Sequence, residues 1–274
     1  MPGRIIKELL SSVKNEIPRI DEIYVKRVIL GLGYTGVELT TEHVGVCYTF
    51  GSEITPDCCQ IWRRAGTLAG RPAMEIAELS RSWDLSESVV GVATLNALSQ
   101  LAIERNRERY IIAEGDFIDH VEIRKDDNVV LVGNIHPFVP KIKEKTEKLY
   151  ILEKNPMLRE SNVLPDVAAE EVLPGADVVI ITGTALVNGT IDRLLELSKD
   201  AREKGLAGPT ASVFPDPLFK HGVTLIGGIK VADGEKIMQI ISEGGGTPNF
   251  KTACKHIIVK PRHYPKDYSL QVSI

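Results

Sequence analysis

No apolar run in this chain of 274 residues reaches the length of a membrane span. The opening segment, MPGRIIKELLSSVKNEIPRI, scatters charges where a signal peptide needs an unbroken apolar stretch, so a cytoplasmic protein without a membrane partner is expected. Cysteine is scarce. Of the four, Cys47 and Cys254 stand alone and Cys58-Cys59 are adjacent, which is not the paired spacing of a zinc site. Reduced thiols are expected, and a chain that is 43% hydrophobic can build its core without disulfide or metal staples. Positive charge is not in excess either: 33 basic against 37 acidic residues leave a net charge of −4, which disfavours nucleic acid as a partner. G-x-S-x-G, Walker and H-E-x-x-H signatures are all missing, as are internal repeats and low-complexity tracts.

What is present falls into two halves. Ile5, Ile6, Leu9, Leu10 and Val13 share one face of a helix over 4–17. Apolar-polar alternation then predicts three antiparallel strands near 22–30, 35–40 and 44–50, broken at Gly31-Leu32-Gly33 and at Thr40-Thr41-Glu42-His43. Helices follow near 72–81 and 87–106, the second opened by Ser86 as its cap. This is an α+β pattern, assigned to residues 1–120. From about residue 127 the pieces alternate: NVVLVG, a helix over 137–147, KLYILE, ADVVIITG, a helix over 190–204, GVTLIGG and a helix near 233–243. Continuous β-branched strands separated by helices predict a mainly parallel sheet covered on both faces, assigned to residues 121–274. The fold class is therefore α/β overall.

Open parallel sheets bind ligands beyond the carboxyl ends of their strands. Three such ends can be named: Gly133-Asn134-Ile135-His136, Glu153, and Thr182-Gly183-Thr184. Glu153 follows Gly133 at about the spacing where an acidic residue grips ribose hydroxyls, because a carboxylate accepts both hydrogen bonds of a cis-diol. VGNIHPF is not GxGxxG, so a dinucleotide is disfavoured; the plain alternative makes Glu153 an ordinary strand-end charge. The turn TGTALVNGT supplies Thr182, Thr184, Asn188 and Thr190. Asn188 or Thr190 would suffice to cap the next helix, leaving polar groups over for a ligand. GPTAS at 208–212 and the glycines at 244–246 are further loops that could close the same mouth.

In the first half, Tyr34 and Thr35 sit either in a hairpin turn or at a ligand-facing sheet edge. Asn96 lies in an apolar helical stretch, where a buried amide must find partners, either in the core or in a cleft. The six histidines are isolated in sequence, and only His136 stands at a strand end. Cys58-Cys59 could bind a soft metal as thiolates.

Together GYTGVEL, VGVCYTF, VGVATLNAL, VVLVGNIHPF, YILEKNP, LPGADVVIITGTALVNGTIDRLL, GPTAS and SEGGG resemble the putative heavy-metal chelation family over roughly 20–250. The resemblance implies an enolase N-terminal-like domain joined to a Rossmann-like one, with a cleft between them. It implies handling or synthesis of a metal chelator of siderophore, pterin or flavin type, by condensation or hydrolysis. The Rossmann-like half is similar to S-adenosylmethionine-dependent methyltransferases. Carried onto matching positions, Tyr34, Thr35, Asn96, Gly133, Glu153, Thr184, Asn188 and Thr190 become pocket candidates, joined by Thr182 and Gly183 from the same turn.

The expectation is a small-molecule site, anionic, heterocyclic or a metal chelate in ligand class, with Glu153 and His136 as the proton-transfer groups. No particular cofactor or metal is indicated, and a homo-oligomer is an open expectation. Two alternatives stand beside it: a non-catalytic soft-metal or chelate binder, and an S-adenosylmethionine-dependent methyltransferase. One departure is visible: AREKGLAGPTAS lacks an apolar run, so a short or irregular fourth strand is expected there.

Overall fold

A computed structural model of the chain describes residues 3–54, 62 and 64–263. The first helix, Arg4–Glu16, buries the predicted stripe of Ile5, Ile6, Leu9, Leu10 and Val13. Gly3 offers it no side-chain cap; Asp192, far along the chain, accepts the Ile5 amide hydrogen at 3.2 Å instead. Strands β1 (Val25–Leu30), β2 (Tyr34–Leu39) and β3 (Val44–Tyr48) form an antiparallel sheet in the order β1-β2-β3.

The long helix Leu85–Arg105 is buried around most of its circumference, because it lies under this small sheet and also borders the second half. Its cap is Asp84 rather than Ser86: the Asp84 carboxylate accepts the Ser86 and Glu87 amide hydrogens at 2.9 and 3.2 Å, while Ser86 lies inside the first turn. Gly45 lets β3 touch the helix backbone, since a Cβ there would lie 2.1 Å from the Ala93 carbonyl oxygen.

The remaining strands are β4 (Tyr110–Glu114), β5 (Val129–Val132), β6 (Leu149–Glu153), β7 (Val163–Pro165), β8 (Val178–Thr182), β9 (Glu203–Ala207), β10 (Leu225–Val231) and β11 (Cys254–Pro261). They form one sheet, ordered β4-β11-β10-β9-β8-β5-β6-β7, in which β5 to β10 run parallel and β11 is antiparallel to both neighbours. The winding direction reverses between β5 and β8, whose apolar residues are buried as their continuous β-branched character requires. The chain enters this sheet at Tyr110, ahead of residue 121, and one buried cluster runs from Ile5 through Leu95 to Val130, Val179 and Phe214, so the halves share a core.

The fourth parallel strand is not irregular. β9 pairs in continuous register with β8 on one side and β10 on the other. Its weak apolar signal comes from Lys204, which is buried and donates its ammonium hydrogens to the carbonyls of Ser198, Lys199 and Ala201. The preceding helix is correspondingly shorter than the expected 190–204, at Ile191–Leu197. No helix among the described residues is long and apolar enough to cross a membrane.

Candidate functional site

The carboxyl ends of β5, β6, β8 and β9 open on one edge of the large sheet, with the switch in winding between β5 and β8. Gly133 follows β5 directly, at φ +91°, and a Cβ there would lie 2.8 Å from Thr182 Cγ2 on β8. Both the conformation and the space therefore demand glycine.

Glu153 is half-buried at the end of β6. Its Oε2 accepts the Asn134 amide hydrogen at 3.0 Å and its Oε1 that of Asn155 at 2.8 Å, so one carboxylate holds the loops after β5 and β6. A carboxylate offers about four acceptor directions, which leaves room for donors from a ligand. Arg159 fixes the same corner by donating Nε to the Glu153 carbonyl at 2.7 Å.

After β8, the Thr182 and Thr184 hydroxyls pair at 3.0 Å. Asn188 Oδ1 accepts the Thr190 hydroxyl at 2.8 Å and its amide hydrogen at 3.2 Å. Neither residue caps the Ile191–Leu197 helix as expected. Thr190 stands at the cap position but has helical backbone angles and turns its hydroxyl back to Asn188. Gly183 is buried against the turn Pro209–Ala211, where a Cβ would lie 2.4 Å from the Ala211 nitrogen.

The other wall comes from the small sheet. Tyr34 bonds its hydroxyl to that of Thr247 at 2.9 Å and packs edge-on against Phe250 and Tyr48; burial pushes its phenol up to about 12. Thr247 follows the glycine loop 244–246, which closes the Gly234–Ser242 helix through Gly245 donating to the Ile240 carbonyl at 2.8 Å. Thr35 is fully buried, with its hydroxyl 3.1 Å from that of Thr49. Asn96 is fully buried too. Its Nδ2 donates to the carbonyls of Val46 at 2.8 Å and Thr210 at 3.1 Å, tying β3 to the turn after β9. Thr35, Asn96 and Gly183 are thus buried, while Gly133, Glu153, Thr182, Thr184 and Asn188 lie at or after the carboxyl ends of β5, β6 and β8 and stay partly exposed.

Three residues at this opening were not singled out by sequence. Tyr48, at the end of β3, has its phenol raised by burial, then by the negative charges of Glu53 and Glu153. Lys154 Nζ stands 3.3 Å from Glu53 Oε2, a further link between the halves. The only signal was that Tyr48 and Lys154 stand at strand ends, because alternation gives no partner across the two sheets.

His136 lies on the outer lip, exposed, with Nδ1 3.9 Å from the exposed Glu160 carboxylate, and no hydrogen bond joins it to Glu153. Such a surface pair contributes about 0–1 kcal/mol. Among the described residues no group of three or more His, Cys, Asp or Glu side chains is placed to hold a metal ion, so no metal ligands are assigned. Cys47 and Cys254 are buried free thiols; burial pushes Cys254 up to about 12 and Cys47 higher, which leaves them inert. Cys58 and Cys59 lie outside the described residues.

Comparison with known proteins bears on the whole arrangement. Two family models carry the description "Putative heavy-metal chelation"; one matches residues 13–99 and the other residues 116–260. An uncharacterized protein of Methanocaldococcus jannaschii is 35% identical over 185 residues, 66% of this chain and 69% of that protein. Two crystal structures of proteins with unknown function, from the family matched at 116–260, superpose closely. The one from Desulfitobacterium hafniense has a TM-score of 0.78 at 25% identity, covering 93% of this chain and 98% of its own. The one from Pyrococcus horikoshii has a TM-score of 0.76 at 25% identity, covering 92% and 99%. By the family matches, the relative and the shared fold, this chain belongs to the family described as "Putative heavy-metal chelation".

Proposed function

We propose that the mouth between the sheets binds a small heterocyclic metabolite bearing hydroxyl or N–H donors, and that the protein handles or makes a metal chelator of siderophore, pterin or flavin type. The observation that carries this reading is Glu153 at the end of β6, whose carboxylate holds the loops after β5 and β6 beside the switch in winding. The strand order β7-β6-β5-β8-β9-β10 follows the doubly wound order 3-2-1-4-5-6, which supports a Rossmann-like assignment of the large sheet and a ligand at its switch point. The small antiparallel sheet with its long helix is read as the enolase N-terminal-like part.

The chemistry of the mouth narrows the ligand. Glu153 is an acceptor whose charge no side chain pairs among the described residues, whereas Glu53 is paired with Lys154, so the ligand end seated at Glu153 carries donors rather than negative charge. An anionic group of the same ligand lies toward the hydroxyls of Thr182 and Thr184. Tyr48 donates to a ring acceptor, and Asn188 Nδ2 is available as a second donor. If a condensation or hydrolysis occurs here, Glu153 and His136 are the groups at this end able to move a proton.

The test is calorimetry with a panel of pterins, flavins and catecholate chelators, with and without ferric iron. At least one compound is expected to bind, and Tyr48→Phe and Glu153→Gln are each expected to weaken it by at least tenfold. A confirmed ligand bound equally by both variants refutes the assignment.

A further inference from the structure

The large sheet has two outer strands, and they are treated differently. β7 is three residues long and ends in Pro165, which offers a second chain little to pair with. β4 is five residues, YIIAE, with no proline, no lysine and no bulge against β11. Ile111 on it is 51% exposed.

The hydrogen-bonding pattern shows which groups of β4 face outward. Arg262 donates its backbone N–H to the Arg109 carbonyl at 3.0 Å, and Tyr110 lies opposite Pro261, so residues 109, 111 and 113 direct their amides and carbonyls at β11. Residues 110, 112 and 114 turn theirs away. Among the described residues, no backbone group meets those of Ile112 or Glu114 on the outer side.

The charges along this edge are arranged end to end. At the Tyr110 end stand the exposed Arg107 and Arg262, the latter donating to the Glu108 and Tyr110 carbonyls at 2.9 and 3.3 Å. They line an open depression of about 590 Å³ with Glu108, Tyr110, Ile111 and Ile112. At the other end stands the exposed Glu114, held only by a surface pair with Lys255. An edge positive at one end and negative at the other is complementary to itself when turned by a two-fold rotation.

We infer that β4 is the contact edge for a second copy of this chain, paired antiparallel about Ile112 to continue the eight-stranded sheet into its partner. Tyr110, whose own amide hydrogen already goes to the Arg107 carbonyl, then lies opposite Glu114 of the partner subunit, so each Glu114 meets the partner's arginine pair and the outward amides of Ile112 and Glu114 are satisfied. Ile111 is covered at the seam. A self-complementary edge favours a second copy over an unrelated partner, because the same feature supplies both halves of the contact.

Sedimentation of the full chain over a range of concentrations tests this. The wild type is expected to sediment as a dimer at tens of micromolar. Ile111→Lys and Glu114→Arg are each expected to raise the dissociation constant at least tenfold, and Glu114→Arg combined with Arg262→Glu to recover most of that loss. A wild type that stays monomeric at about 100 μM, roughly −5.5 kcal/mol of association, overturns the inference. So does a dimer that both single variants leave intact, and so does a dimer that forms only after residues 264–274 are removed. Because both single substitutions are at exposed positions, an unchanged far-ultraviolet spectrum and melting temperature separate loss of the contact from loss of the fold.

Discussion

Replacing Asn96 by alanine separates a structural tie from a ligand contact. Its Nδ2 donates to two carbonyls, of Val46 at 2.8 Å and of Thr210 at 3.1 Å, and those two bonds also fix which way the amide points. Alanine leaves both acceptors unpaired in a place sealed from water, at about 1–3 kcal/mol for each. The substitution also removes Oδ1, which is buried without a partner, so about 1–3 kcal/mol of existing penalty is relieved. The net loss is that of one unpaired group, about 1–3 kcal/mol, or a fall in melting temperature of roughly 3–10 °C for a chain of this size. Asn96→Asp is expected to be worse, because an ionised carboxylate donates to neither carbonyl and adds a buried charge. Thermal unfolding followed by circular dichroism measures both. A melting temperature within about 2 °C of wild type would refute the reasoning, and more sharply so if ligand affinity fell at the same time.

Gly133→Ala is expected to cost more than about 2 kcal/mol in urea unfolding, combining the strain of a left-handed residue with the contact on Thr182; a cost below about 0.5 kcal/mol would show that β5 and β8 can move apart there. The pH dependence of stability should carry the signature of Asp127, a buried carboxylate held below its ordinary value of 3.8 chiefly by hydrogen bonds from Arg202, against the opposing effect of burial. A depressed folded value means the stabilisation is complete above 3.8 and is lost as pH falls through the folded value. Wild type is therefore expected to lose stability steeply below pH 4, and Asp127→Asn to flatten that decline; melting curves of the two from pH 2 to 6 that run parallel would count against it.

Much of the scaffold was legible because its signals are local. The helix at the start needed only the spacing of Ile5, Ile6, Leu9, Leu10 and Val13, and β5 and β8 only their runs of β-branched residues. β9 was misread because Lys204 interrupts its apolar pattern, and only the fold supplies the three carbonyls that let an ammonium be buried there. β11 carries Lys255, His256 and Lys260 among its apolar residues and was not foreseen. The cap of the long helix was placed two residues late, because Ser86 and Asp84 are both good caps and sequence does not say which one stands at the first turn.

The site divides in the same way. Gly133, Glu153 and the 182–190 turn were legible as strand ends, since a parallel sheet directs those ends to one edge, where such sheets bind ligands. Their partners were not. Lys154, beside Glu153, reaches Glu53 because two different sheets pack together, and no periodicity along the chain encodes a neighbour that far away. Asn96 and Thr35 are both fully buried, Asn96 tied to two carbonyls and Thr35 paired with the Thr49 hydroxyl, and the sequence did not show those partners. The sequence by itself determined which segments become strands and helices, through side-chain period and backbone preference. The tertiary structure alone decided which polar groups stay open to a ligand, because that depends on the donors and acceptors that packing leaves unused.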